Sequence, residues 1–136
     1  MTRENKMESD KDKKILIIDD EPAIHRLLKT ILETEGYSIL GIEERGDTRE
    51  SVARGKPDLI ILDLMMPEVD GFEILESLKS DEQTRDIPVI ILTVRSLKED
   101  REKAMALGAD LYITKPFRPE DLVQAVRKVL SGTGAT

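Results

Sequence analysis

The chain contains no cysteine. Disulfides and thiolate metal sites are therefore excluded, and the absence is compatible with a reducing, cytoplasmic setting. It also lacks any long hydrophobic stretch. No apolar run approaches the ~18 residues of a membrane span, and no signal-peptide core precedes a small-residue cleavage site. Basic residues are outnumbered, 21 Lys and Arg against 28 Asp and Glu, for a net charge of −7. That balance speaks against direct nucleic-acid contact, which needs a basic face. Histidine occurs once, at His25, one position off the apolar stripe of its helix. With no second histidine and no activating acid evident, it reads as a helix-surface residue rather than a phosphocarrier. Internal repeats and low-complexity segments are absent as well.

What the 136 residues do contain is one domain's worth of chain. A domain of this size buries roughly two-thirds of its unfolded surface, enough for a proper core. Four short apolar runs each end in a polar residue of a different kind. Ile15–Ile18 leads into Asp19-Asp20, and Leu59–Leu62 into Asp63. Val89–Leu92 leads into Thr93, and Leu111–Thr114 into Lys115. Such β-branched runs read as strands buried on both faces, as in parallel sheets.

Helical patterns alternate with these strands. Ile24, Leu27, Leu28, Ile31 and Leu32 follow the spacing of an amphipathic helix, with Pro22 in its first turn and Gly36 at its end. Tyr37 to Ile42 is a further strand, and Asp47 to Arg54 a short polar helix. Gly71 to Ser80 is helical with Phe72, Leu75 and Leu78 inward. Leu97 to Leu107 is a highly charged helix closed by Gly108. Its charged run 98–103 reads as a solvated face. The last helix opens at Pro119 and turns Leu122, Val123, Val126, Val129 and Leu130 inward. Right-handed crossovers between five such units give an α/β fold with helices on both faces of a five-stranded parallel sheet. Residues 1–13 read as a flexible tail and 131–136 as a tail or linker, leaving 14–130 as the domain.

In open parallel sheets, ligands sit beyond the carboxyl ends of the strands. Three carboxylates, a hydroxyl and an ammonium should therefore meet in one crevice. Three carboxylates together repel one another unless a cation is present. Hard divalent cations take oxygen ligands, and Mg2+ combines one or two carboxylates with phosphate oxygens. Asp19, Asp20 and Asp63 thus form a candidate Mg2+ (or Mn2+) site, and a carboxylate can also act as nucleophile to form an aspartyl-phosphate. The cation, Lys115 and Thr93 would supply partners for the three equatorial oxygens of one phosphoryl group. Each residue alone has an ordinary explanation as a cap, turn or surface group. Their joint arrival at four strand ends does not.

The stretches ILIIDDEP, DLIILDLMMPEVDGFEIL, IPVIILT and GADLYITKPF resemble the receiver domain of two-component response regulators. The resemblance runs from about Lys14 to Leu130. It implies a doubly wound, flavodoxin-like (βα)5 fold with strand order 2-1-3-4-5. It implies that Asp63 is the phosphoacceptor, that Asp20 ligates Mg2+ directly, and that Asp19 acts through water. Met65 falls where a backbone carbonyl ligates the metal. Thr93 and Tyr112 match the coupled switch pair, Lys115 the phosphate-binding lysine, and Lys115–Pro116 a bond usually found cis. The donor would be a sensor histidine kinase or a histidine phosphotransfer protein. Phosphorylation would switch the face built from residues 97–130 and so control a partner or an output domain. The domain itself would be a monomer or a phosphorylation-promoted dimer. It would not be an enzyme beyond self-catalysed phosphotransfer and autodephosphorylation.

Some positions depart from that pattern. Val94 stands where the family usually has Ala or Gly, and its bulk is expected to narrow access to Asp63. Met65 and Arg95 occupy variable positions expected to tune the phosphoryl lifetime. Leu111 replaces an acidic residue often used by the winged-helix transcription subfamily in a dimer face, and Gln124 and Ala125 leave its basic partner missing. Two rival readings stand beside this one. Aspartyl-phosphate hydrolases of the haloacid dehalogenase type need a second Asp where Met65 stands. A phosphorylation-independent adaptor would have no use for the intact Asp, Thr and Lys set.

Overall fold

A computed structural model describes residues 13–42 and 48–132. The proposed tails therefore lie outside the described residues, apart from Lys13 and the pair 131–132. Five strands and five helices alternate. The strands are β1 (Lys14–Ile18), β2 (Ser38–Ile42), β3 (Leu59–Leu62), β4 (Val89–Thr93) and β5 (Leu111–Thr114). The helices are α1 (Pro22–Thr34), α2 (Thr48–Gly55), α3 (Gly71–Ser80), α4 (Lys98–Ala106) and α5 (Pro119–Ser131). A two-residue antiparallel hairpin, Met65–Met66 against Val69–Asp70, lies between β3 and α3. All pairings in the main sheet are parallel, in the order β2-β1-β3-β4-β5. This is the doubly wound, flavodoxin-like arrangement that the resemblance implied.

Strand alternation builds two cores, one on each face of the sheet. Ile15, Ile17, Leu59, Ile61, Ile90 and Leu92 join Leu28 and Leu32 of α1 with Leu122 and Val126 of α5. Their neighbours Leu16, Ile18, Ile60, Leu62, Val89 and Ile91 join Val52 of α2, Phe72, Leu75 and Leu78 of α3, and Ala104 of α4. The three central strands are buried on both sides, which is why their sequences are unbroken apolar runs rather than alternating ones.

Four expectations need correction. Leu27 is 46% exposed, because the apolar stripe of α1 is narrower than its spacing allowed. His25 is only 8% exposed and is no surface residue. Asp100, inside the charged run of α4, is buried and turned to an ion pair with Arg95 at 3.0 Å. On α5, Ala125 rather than Val123 packs with the core.

The start of α3 is locked to the chain leaving β3. A Cβ on Gly71 would fall 2.4 Å from Leu64 Cα and 2.8 Å from the Asp63 carbonyl oxygen. Both are backbone atoms and cannot swing aside. Asp70 caps the helix, its Oδ1 accepting from the Phe72 N–H at 2.8 Å. Gly71→Ala is therefore predicted to destabilise by about 1–3 kcal/mol through overpacking, although alanine is otherwise the better helix former. Urea denaturation of the two proteins measures the difference.

Candidate functional site

The sheet ladder delivers four polar residues to one rim. Asp19, Asp63 and Lys115 each follow the last residue of their strands, and Thr93 is the last residue of β4. The ladder runs one step further at this end. The Asp63 N–H donates to the Ile18 carbonyl at 3.0 Å, and the Lys115 N–H to the Thr93 carbonyl at 2.7 Å. These bonds fix Asp63 and Lys115 to their neighbouring strands before any side chain is considered. The cis Lys115–Pro116 bond is present as the resemblance implied.

The side chains converge. The Lys115 ammonium donates to Asp19 Oδ2 at 2.9 Å and to Asp63 Oδ2 at 3.3 Å, and lies 3.5 Å from Glu21 Oε1. Carboxylate oxygens of Asp19, Asp20 and Asp63 all lie within 4.8 Å of one another. Asp19 and Asp63 are buried, and Asp20 is half-buried. Two backbone donors aim the buried acids. The Glu21 N–H reaches Asp19 Oδ1 at 2.9 Å, and the Met65 N–H reaches Asp63 Oδ1 at 3.0 Å. Three hard oxygen donors at this spacing, open on the Asp20 side, can hold a divalent cation.

Burial pushes the Asp19 carboxyl above its ordinary range, against the pull of the Glu21 N–H and of Lys115. Burial alone would lower the Lys115 ammonium. The hydrogen bond to Asp19 and the charges of Asp63 and Asp19 prevail, and hold it above the usual lysine value. The ammonium thus sits between two buried acids and partly stands in for a cation.

Thr93 is fully buried, and its Oγ1 accepts from the Arg95 N–H at 3.4 Å. Tyr112 is half-buried and donates its hydroxyl proton to the Arg95 carbonyl at 2.8 Å. The Arg95 side chain lies away from the acids. It pairs with Asp100 and sits 5.3 Å from the centre of the Phe72 ring, which Lys103 also covers at 4.3 Å. Burial raises the Tyr112 phenol, reinforced by the charge of Asp100. A cleft of about 590 Å³ opens beside the acids, lined by Met65, Met66, Phe72, Arg95, Asp100 and Lys103 among others. Met65 is 49% exposed and Val94 55% exposed. Six of the seven residues singled out in the sequence, Asp19, Asp20, Asp63, Met65, Thr93 and Lys115, therefore lie at the carboxyl end of one sheet or on the loops that leave it, and the seventh, Tyr112, lies within β5. Sequence reasoning missed His25, whose ring reaches under this rim to the Asp19 carbonyl.

Polar groups gathered beyond the carboxyl ends of a parallel sheet place this chain among the doubly wound α/β domains that bind ligands at that rim. The family model of the response regulator receiver domain matches residues 15–127, and the chain belongs to that family. It is 43% identical over 122 residues to the phosphate regulon transcriptional regulatory protein PhoB of Pseudomonas aeruginosa, covering 90% of this chain and 53% of that protein. It is 42% identical over 120 residues to the DNA-binding dual master transcriptional regulator RpaA of Synechocystis, covering 88% and 50%. The chain thus spans about half the length of these relatives. Among solved structures, the signal receiver domain of a DNA-binding response regulator from Colwellia psychrerythraea superposes with a TM-score of 0.82. It is 30% identical, with 88% of this chain and 99% of that one covered. The beryllofluoride-activated receiver domain of RstA from Klebsiella pneumoniae gives a TM-score of 0.78 at 30% identity, with 87% and 98% covered.

Lys115 and a bound cation would draw on the same cluster of carboxylates, with Asp63 common to both. Lys115→Met is predicted to bind Mg2+ about tenfold tighter, the scale on which one neighbouring charge shifts a carboxylate equilibrium. The same variant should accept a phosphoryl group more slowly. Calorimetric Mg2+ titration and acetyl-phosphate labelling test the two halves separately.

Proposed function

We propose that residues 14–130 form a phosphoacceptor switch, with Asp63 as the residue phosphorylated. The observation that carries this reading is the Lys115 ammonium shared between two buried carboxylates from neighbouring strands. An ammonium so held meets phosphoryl oxygens once a phosphoryl group joins Asp63. A phosphohistidine of a sensor kinase or a histidine phosphotransfer protein is the donor. A carboxylate oxygen of Asp63 bonds to phosphorus as the phosphorus–nitrogen bond breaks, and the departing imidazole takes up a proton. Asp20, Asp63 and the Met65 carbonyl would hold Mg2+ or Mn2+, with Asp19 acting through water. When bound, the cation neutralises charge on the phosphoryl oxygens and on the acids that face them.

Phosphorylation adds about −1.5 to −2 charge at this rim. Lys115 follows that charge, and the Thr93 hydroxyl donates to it. Thr93 and Tyr112 meet on the same residue, one at the N–H of Arg95 and the other at its carbonyl. Movement of Thr93 is therefore felt by Tyr112 and by the face formed by α4, β5 and α5. That face has two populations, and phosphorylation shifts the balance between them. Output comes from a partner that binds this face or from a further domain, in a cytoplasmic setting, with the domain a monomer or a phosphorylation-promoted dimer. The relatives' names favour transcriptional output. Leu111, half-buried where the winged-helix subfamily often has an acid, favours a weaker dimer than that subfamily forms.

Phosphate-affinity electrophoresis after treatment with acetyl phosphate and Mg2+ tests the reading. The wild-type band shifts and Asp63→Asn does not; an unshifted wild-type band would instead support the adaptor. Val94→Ala is predicted to label faster by opening the approach to Asp63, and equal rates reject that role for Val94.

A further inference from the structure

We propose that His25 is a positioning residue for the cation site, acting through the peptide that joins Asp19 to Asp20; the inference rests on the phosphoacceptor reading above. The histidine lies in the first turns of α1, buried beneath the acidic rim. Its Nε2 lies 2.6 Å from the Asp19 carbonyl oxygen. A carbonyl only accepts, so Nε2 carries the proton and donates. This bond fixes the plane of the Asp19–Asp20 peptide, and that plane sets the direction in which Asp20 leaves the chain.

The Asp19 carboxylate is held separately, by the Glu21 N–H and by Lys115. The His25 bond is therefore the added restraint on the backbone between the two acids. The same turn closes on the helix as well, where the His25 N–H donates to the Glu21 carbonyl at 3.2 Å. One residue thus grips both ends of the Asp19–Glu21 turn, by its main chain and by its ring.

A second observation, on another element, points the same way. Gly41 of β2 pairs with Ile17 in the sheet and lies against the ring. A Cβ at Gly41 would fall 2.7 Å from His25 Nδ1 and 3.1 Å from Cε1. Nothing in its backbone requires glycine, because its φ is not in the left-handed region. Glycine within a strand commonly marks the close approach of another group. Here that group is the imidazole, and the missing side chain is what lets the ring reach the Asp19 carbonyl.

Groups that orient metal ligands typically change metal affinity about 10–100-fold when removed. Calorimetric titration with MgCl2, well below the melting transition, compares wild type with three variants. His25→Leu keeps the bulk and loses the donor, and is expected to weaken Mg2+ binding about tenfold or more. His25→Gln puts an amide N–H close to the position of Nε2 and should recover most of that loss. Gly41→Ala, which leaves His25 intact but evicts its ring, should match His25→Leu. Leu122→Ala, a core variant on α5, controls for lost stability: it should melt earlier yet keep the wild-type affinity. Equal Mg2+ affinity in wild type and His25→Leu overturns the inference, as does a loss that Leu122→Ala reproduces or that His25→Gln does not recover. Absence of Mg2+ binding by the wild type overturns the cation site itself, and with it the reading on which this inference rests.

Discussion

The ammonium of Lys115 holds together charges that would otherwise drive one another apart. Two buried carboxylates and a third half-buried one meet at a single rim, where like charges repel one another. The lysine hydrogen-bonds two of the three and raises its own proton affinity in doing so. It can do this because β5 lies beside β4 and β4 beside β3, so the last strand brings a cation back to acids set down by the first and third. The sheet order is thus an electrostatic arrangement as much as a topological one.

From that rim, contact passes outward through a few residues. Gly71 seats α3 on the backbone that leaves Asp63, and Phe72, next in the chain, carries two cations over its ring. One of them is Arg95, whose main chain also meets Thr93 and Tyr112 and whose guanidinium is tied to Asp100 of α4. The β4–α4 loop is therefore joined to α3, α4 and β5 at one residue. A displacement of Thr93 has few places to go except through these contacts, and packed interiors transmit strain rather than absorb it.

The fold was legible in the sequence because its central strands are buried on both faces. Ile15–Ile18, Leu59–Leu62 and Val89–Leu92 can be nothing but strands of this kind once helices separate them. The site was legible because the ends of those strands carry the chemistry, and strand ends are positions that sequence defines well. Side-chain burial on helices was harder to read. Leu27 and His25 have the wrong polarity for their actual places, since helical spacing alone does not say how wide a stripe the sheet will cover. Asp100 was hidden in a charged run for a related reason: its partner Arg95 lies outside the helix, and no periodicity links them. The clue to His25 lay on another strand. A glycine in mid-strand signals that something approaches closely, but only the pairing of Gly41 beside Ile17 shows that the visitor is a ring from α1.

The distance along the chain between the acids and their lysine has a consequence for the order of events during synthesis. Lys115 lies 52 residues beyond Asp63 and 96 beyond Asp19. A ribosome making about 5–20 residues per second exposes Asp63 roughly 3–10 s before Lys115 emerges. Throughout that interval β5 and α5 are missing, the rim is incomplete, and its negative charges have no ammonium between them. Completion of the rim is thereby tied to completion of the sheet, and a nascent or prematurely terminated chain carries the acids without the lysine that lies between them.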